Sequence, residues 1–195
     1  SERFLSINLA ESGSNEIHLK DLTIKNSPIQ LLDEAKPGVE YSYTHIGDDL
    51  YILTNKDKTT DFKVMRTRID SIAPKHWKVF LKEEKGLYKE SISGFKDYLV
   101  LELKNNELAL PQIMVMNLKT NIKRFIKMQE DAYSISFEGA EEFDTETIRY
   151  IYQSPKTPKQ TIDYYLESGK TVVRKTLEVP NYNSDNYEVR REFAE

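Results

Sequence analysis

The sequence contains no cysteine. That removes disulfides, thiolate nucleophiles and zinc–sulfur sites, and it fits a reducing compartment. No apolar run reaches the length of a membrane-spanning helix, and no basic-then-apolar leader opens the chain. Neither sign of charge dominates: 28 Lys and Arg stand against 32 Asp and Glu, a net charge of −4. The clustered basic excess of a nucleic-acid-binding face is therefore missing. One basic stretch, Lys119, Lys123, Arg124 and Lys127, reads as the wet face of an outer strand. Neither nucleic acid nor a membrane is expected as a partner. There is no Gly-x-Ser-x-Gly elbow and no phosphate-cradling glycine loop. The three histidines, His18, His45 and His76, sit at no ligand spacing and read as ordinary strand or loop residues. Helical signal is also scarce. No segment of helical length carries a sustained apolar stripe, and Ala140 to Thr147 holds a short helical turn at most.

What is present is strand. Tyr, Phe, Ile, Val and Thr are dense in short runs bounded by polar turns such as Gly47-Asp48-Asp49 and Ser168-Gly169-Lys170. A pair of strand-like runs recurs four times. The second run of each pair begins near Ile17, Phe62, Ile113 and Ile162, which are 45, 51 and 49 residues apart. Several strands per unit at such a period indicate a β-propeller. Three units read as four strands each: 39–45, 49–55, 61–68 and 76–82; then 89–95, 97–104, 111–117 and 121–128; then 132–138, 147–153, 160–166 and 170–177. The first unit has only three, at 3–8, 15–20 and 28–33, with its innermost strand expected before Ser1. The expected fold is all-β: a partial propeller of three complete four-stranded antiparallel blades plus three strands of a preceding one. The blades fall at residues 1–34, 38–83, 86–129 and 131–178. Residues 179–195 are turn-rich and read as an exit segment, with a possible strand resuming at Glu188 to Ala194. A chain that opens on Ser1 inside a strand reads as a piece of a longer protein.

The residues offer little chemistry. Carboxylates cluster at Asp48-Asp49, at Glu83-Glu84, and at Glu141-Glu142 with Asp144. Such groups serve acid–base chemistry or calcium in other settings, but adjacent acids in turns are ordinarily solvated. Trp77, the single tryptophan, reads as a packing residue. Tyr43 and Tyr133 lie at similar places on expected innermost strands, where packing competes with a position facing a central channel. No catalytic, cofactor-binding or metal-ligating residue is assigned, and no cofactor is expected.

A family resemblance rests on three stretches. Gly38-Val39-Glu40-Tyr41-Ser42-Tyr43-Thr44-His45, followed by Asp48 to Asn55 and Phe62 to Arg66, resembles the propeller of the oligopeptidase B (protease II) branch of the prolyl oligopeptidase family of serine peptidases. Phe143 to Tyr150, Tyr152 to Pro158 and Asp163 to Lys170 resemble that family's last blade. Leu177-Glu178-Val179-Pro180 to Tyr187 resembles the link into its hydrolase domain, although the family's Tyr-x-Ser-Glu-Arg pattern is replaced by Tyr187-Glu188-Val189-Arg190-Arg191. The resemblance implies a seven-bladed propeller that gates a cytosolic serine peptidase cleaving short peptides after Lys or Arg. It also implies an α/β-hydrolase domain as partner, carrying the catalytic serine, aspartate and histidine beyond Glu195. This chain alone is then expected to be inactive. The alternatives are an independent β-rich binding or carrier protein, and a small enzyme built on Glu141, Glu142 and Asp144. A stop codon after Glu195 favours the carrier; continuation into a Gly-x-Ser-x-Gly elbow favours the peptidase. Exposed strand edges also predict self-association of the isolated piece.

Overall fold

The structure, a computed structural model, describes residues 3–192. It holds four antiparallel sheets, one of three strands and three of four, which is the all-β architecture expected. The first contains β1 (Phe4–Glu11), β2 (Ser14–Asp21) and β3 (Gln30–Leu31) in that order. The second contains β4 (Tyr41–Ile46), β5 (Asp49–Thr54), β6 (Lys63–Arg68) and β7 (Lys78–Leu81). The third contains β8 (Leu87–Phe95), β9 (Tyr98–Asn105), β10 (Leu110–Asn117) and β11 (Lys123–Phe125). The fourth contains β12 (Ser134–Gly139), β13 (Thr147–Gln153), β14 (Gln160–Tyr165) and β15 (Thr171–Thr176). In every sheet, sequential strands are spatial neighbours, so each sheet is a meander.

The chain divides into two compact units, Ser1–Gly94 and Phe95–Glu195. In the first, β5 reads Asp-Leu-Tyr-Ile-Leu-Thr and buries Leu50 to Thr54 on both faces, the pattern of a central strand. Its hairpin with β4 closes Ile46 onto Asp49, and Gly47 supplies the positive φ of 61° that a two-residue hairpin turn asks of its first position. The core of this unit gathers Ile17 and Leu19 from β2, Leu50 and Ile52 from β5, and Tyr41 and Trp77. The Trp77 indole N–H donates to the main-chain oxygen of Ile72 at 2.8 Å, so the buried polar edge of the ring is satisfied. Gly94 marks a close approach. A Cβ there would lie 2.5 Å from Thr44 Oγ1 and 2.7 Å from Ile46 Cγ1, so only glycine lets β8 pass β4.

The second unit centres on Val100, Ile113, Val115, Ile148, Tyr150 and Ile162, with Tyr152, Tyr164 and Leu166 around them. Tyr133 packs against this core and donates its hydroxyl to Pro111 O at 3.1 Å; Tyr43 packs against the core of the first unit. Packing therefore accounts for both tyrosines. Lys123 and Arg124 lie exposed on the outer strand β11, as the basic stretch suggested.

Residues 140–146 form bends without a helical turn, within the short turn at most that the sequence allowed, and short 3-10 turns stand at Lys56–Lys58, Pro74–His76 and Ser184–Asn186. One expectation fails. Residues 188–192 form no strand; the rest of that expected strand, Phe193 and Ala194, lies outside the described residues. The physical reason is in the side chains: Glu188, Arg190, Arg191 and Glu192 leave this run no apolar face to bury.

Candidate functional site

The polar side chains of the first unit converge at one end of its strands. The segment after β3, the β5–β6 connection and the β7–β8 connection all lie there, because each strand of a meander reverses the last. Asp33, 5% exposed, is held by Lys36 Nζ at 2.9 Å and Lys56 Nζ at 2.8 Å. Burial works to raise this carboxyl, and the two ammonium groups outweigh it, so its pKa lies below the ordinary value. The Tyr41 hydroxyl donates to Asp33 O at 2.6 Å and accepts from the main-chain N–H of Ile17. Lys56 also lies over the Trp77 ring, 5.0 Å from its centroid, a cation–π contact.

The β5–β6 connection carries three non-glycine residues in the left-handed region: Asp57 (φ 62°), Lys58 (φ 63°) and Phe62 (φ 57°). For a bulky residue such as Phe62 this conformation is costly and persists only when its surroundings impose it. They do. Lys63 Nζ pairs with Asp57 at 2.6 Å, Lys89 Nζ donates to Phe62 O at 3.2 Å, and the Phe62 ring meets Tyr88 edge-on at 5.3 Å. Glu83 accepts from the Thr60 hydroxyl and the Asp61 N–H, and Asp61 accepts from the Gly86 N–H. Beside this knot is a cleft of about 270 Å³ that includes Glu40, Tyr41, Phe62, Tyr88 and Glu90. Burial, and then the charges of Glu40, Glu90 and Asp61, push the Tyr88 phenol up.

In the second unit Asp163 is gripped by two guanidiniums. Arg149 Nε and Nη2 reach its two oxygens at 2.8 and 3.2 Å, and Arg174 Nε reaches one of them at 2.7 Å. The Arg149 hydrogen bond, with that of Arg174, holds the carboxyl below its usual range against the opposing effect of burial. Arg149 and Asp163 line a cleft of about 530 Å³ together with Glu138, Glu141 and Glu142. The exit segment is fastened to the same unit: the Tyr182 hydroxyl donates to Lys156 O, and its ring stacks on Tyr187 at 5.2 Å.

The acidic and imidazole groups singled out in the sequence are dispersed among structural partners. Asp144 pairs with Lys96 at 2.7 Å and does not line the cleft that Glu141 and Glu142 share. Asp49 pairs with Arg66 at 2.8 Å, and Glu83 is spent on the loop knot. His18 contacts Glu16 at 2.9 Å, and His45 contacts its own turn at Gly47 O. Burial, above all, draws the His45 pKa down. His76 lines a basic cleft with Arg66, Arg68 and Lys75. Among the described residues no group of three His, Cys, Asp or Glu could hold a metal ion.

Residues 1–176 match the family described as the prolyl oligopeptidase, N-terminal beta-propeller domain. The chain belongs to this family. Its sheets are thus propeller blades, and the parent family is one of peptidases. Dipeptidyl aminopeptidase BI of Pseudoxanthomonas mexicana is 27% identical over 99% of the chain and 26% of its own length. Protease 2 of Moraxella lacunata is 29% identical over 87% of the chain and 24% of its own length. The chain therefore spans about a quarter of these prolyl oligopeptidase-type relatives. Among solved structures, oligopeptidase B from Trypanosoma brucei with covalently bound antipain, in a closed form, superposes with a TM-score of 0.87 at 26% identity, covering 97% of the chain and 28% of that protein. Oligopeptidase B from Leishmania major gives 0.86 at 24% identity over 98% of the chain and 28% of its own.

Sequence reasoning missed the Asp33 and Asp163 ion clusters, whose members lie up to 23 residues apart. It also missed the strained β5–β6 loop. The run Asn55-Lys56-Asp57-Lys58 is turn-like in composition and was the available signal; nothing in the sequence marks Phe62.

Proposed function

We propose that this chain is the gating and substrate-access portion of a serine oligopeptidase that cleaves short peptides after Lys or Arg. The observation that carries the reading is the family match across residues 1–176, in register with four blades, in a chain a quarter the length of its peptidase relatives. The knot at Asp33, Asp57 and Phe62 would hold the loop end of the first unit in one conformation, as a gate requires. The Tyr182 anchor would fix where the chain leaves its last blade toward an α/β-hydrolase domain. That domain would bring the serine nucleophile, its histidine base and the oxyanion donors. A cytoplasmic location belongs to the same proposal, and fractionation of the source cells tests it.

The deciding experiment compares the 195-residue chain with the longer polypeptide that contains it, on arginyl, lysyl and prolyl fluorogenic peptides. The longer polypeptide is expected to turn over the arginyl and lysyl substrates and to be silenced by a serine-directed inhibitor, while the chain alone shows no turnover. Inhibitor-sensitive turnover by the chain alone overturns the reading. Exclusive cleavage of the prolyl peptide by the longer polypeptide overturns its specificity.

A further inference from the structure

The sheet of β4 to β7 gathers cations at the end where the β4–β5 turn and the β6–β7 connection lie. Arg66 and Arg68 stand two residues apart on β6, opposite Tyr51 and Asp49 of β5, so all four side chains share one face. On the other side of β6, Lys78 of β7 lies directly opposite Arg66. Lys75 and His76 precede it on the 3-10 turn before β7. With Asp49 these cations line a cleft of about 530 Å³, within the ~300–1,000 Å³ of small-molecule sites. Its lining falls within residues 49–80, in a sheet whose four strands are all in place. The cleft therefore does not arise from where the chain begins or ends.

The charge in this cleft is unbalanced. Four fixed cations face one carboxylate, an excess of three, in a chain whose net charge is −4. Asp49 engages Arg66 at 2.8 Å, and the Arg66 guanidinium lies 5.9 Å from the centroid of the Tyr51 ring. Arg68 reaches Asp48 and Asp70 only at 3.5 Å, and all three side chains are more than half exposed, so these contacts neutralise little. Among the described residues Lys75 and Lys78 have no carboxylate partner. Like charges directly opposite one another on a sheet cost stability. Asp49, spent on Arg66, leaves Lys78 without a counter-charge.

We propose that this cleft binds a phosphate dianion, free or as a phosphate monoester. Lys75, Lys78 and Arg68 supply the donors, and Arg66, held by Asp49, forms one wall. The guanidinium fork of Arg68 matches two oxygens of a tetrahedral oxyanion, and the lysines act as mobile point charges. An excess of three charges suits a dianion better than the single charge of a peptide carboxylate. The inference does not depend on the peptidase reading, and its test reads no turnover.

Isothermal titration calorimetry on the full polypeptide that carries these residues tests it, with inorganic phosphate and phosphoserine as probes and chloride at matched ionic strength as the control. Saturable binding of a phosphate probe, and none of chloride, is expected. Binding of inorganic phosphate identifies the free anion as sufficient; binding of phosphoserine alone identifies a monoester. Lys75→Gln with Lys78→Gln is expected to weaken binding at least about tenfold, since two charge-assisted hydrogen bonds are lost. The unfolding midpoint of this variant should hold or rise slightly, because Arg66 loses its like-charged neighbour. Lys58→Gln with Lys85→Gln removes the same charge from the β5–β6 and β7–β8 connections, at the opposite end of the strands, and should bind as wild type does. No saturable binding of either phosphate, or an equal response to chloride, overturns the proposal. So does unchanged affinity in the Lys75 and Lys78 variant, a fall in its unfolding midpoint together with binding, or an equal loss of affinity in the Lys58 and Lys85 variant.

Discussion

Asp33 is the residue on which the loop end of the first unit closes. Its carboxylate is buried against two lysines whose own side chains are 46% and 25% exposed, so part of the attraction is screened. Asp33→Asn leaves those lysines without their anion and is expected to cost about 2 kcal/mol at neutral pH. The pH dependence has a definite sign. The folded-state pKa is depressed, so the stabilisation is fully present above about pH 4, where an unfolded aspartate titrates. It is lost as pH falls through the folded value. Urea unfolding of wild type and Asp33→Asn should therefore differ at pH 7 and converge in acid. A gap that persists once the pH has fallen through the folded-state value would count against the ion cluster as the cause. Lys58 gives a change of the opposite direction. It is exposed and left-handed at φ 63°, so Lys58→Gly removes a steric cost at little loss of contact. A gain of about 0.5 kcal/mol is expected, read as a higher urea midpoint at unchanged slope.

At the scale of elements, the tightest constraint is the passage of β8 across β4. Gly94→Ala forces Thr44 or Ile46 to give way by several tenths of an ångström, and overpacking of this kind costs about 2 kcal/mol. The double variant with Thr44→Ala removes the nearest atom and should recover part of that loss in the same unfolding assay. No recovery would mean that backbone freedom at Gly94, and not the clash, sets the cost. The elements also show what a sequence makes legible. β5 and β9 were plain because central strands bury both faces and read as apolar runs. The outer strands were overestimated. Residues 28–33 shrink to Gln30–Leu31 and 121–128 to Lys123–Phe125. The segments that do pair, Gln30–Leu31 and Lys123–Phe125, are exposed throughout, so alternation carries no signal there, and Pro28 removes a ladder donor at one end. The ion clusters stayed hidden for a different reason. Arg149 meets Asp163 because the β13–β14 register sets them opposite one another, Lys56 meets Asp33 because connections of two different sheets lie at one end of the first unit, and no local pattern encodes either.

At the scale of the molecule, the repeat spacing near 45 to 51 residues carried most of the architecture, because each blade repeats the same meander. The functional assignment comes from the family and not from any constellation of side chains, and this division is itself physical. A propeller contributes loops, rims and edges, and those are read by what docks on them. Arg149→Ala tests whether the acidic cleft of the last blade is structural. It removes the bidentate hold on Asp163 while Arg174 remains, so a slight fall in the urea midpoint is expected. In the longer polypeptide, peptidase turnover is expected to stay unchanged. A marked fall in turnover with stability intact would give that cleft a part in peptide passage.

Trp77 has one more consequence. It is the only indole in the chain and is buried in the core of the first unit, its N–H bonded and Lys56 over its face. Intrinsic fluorescence excited at the red edge of the absorption band is then a private channel of residues 1–94. Its emission should be blue-shifted in the native chain and should move red when that unit opens. Melting confined to residues 95–195 should pass in optical silence.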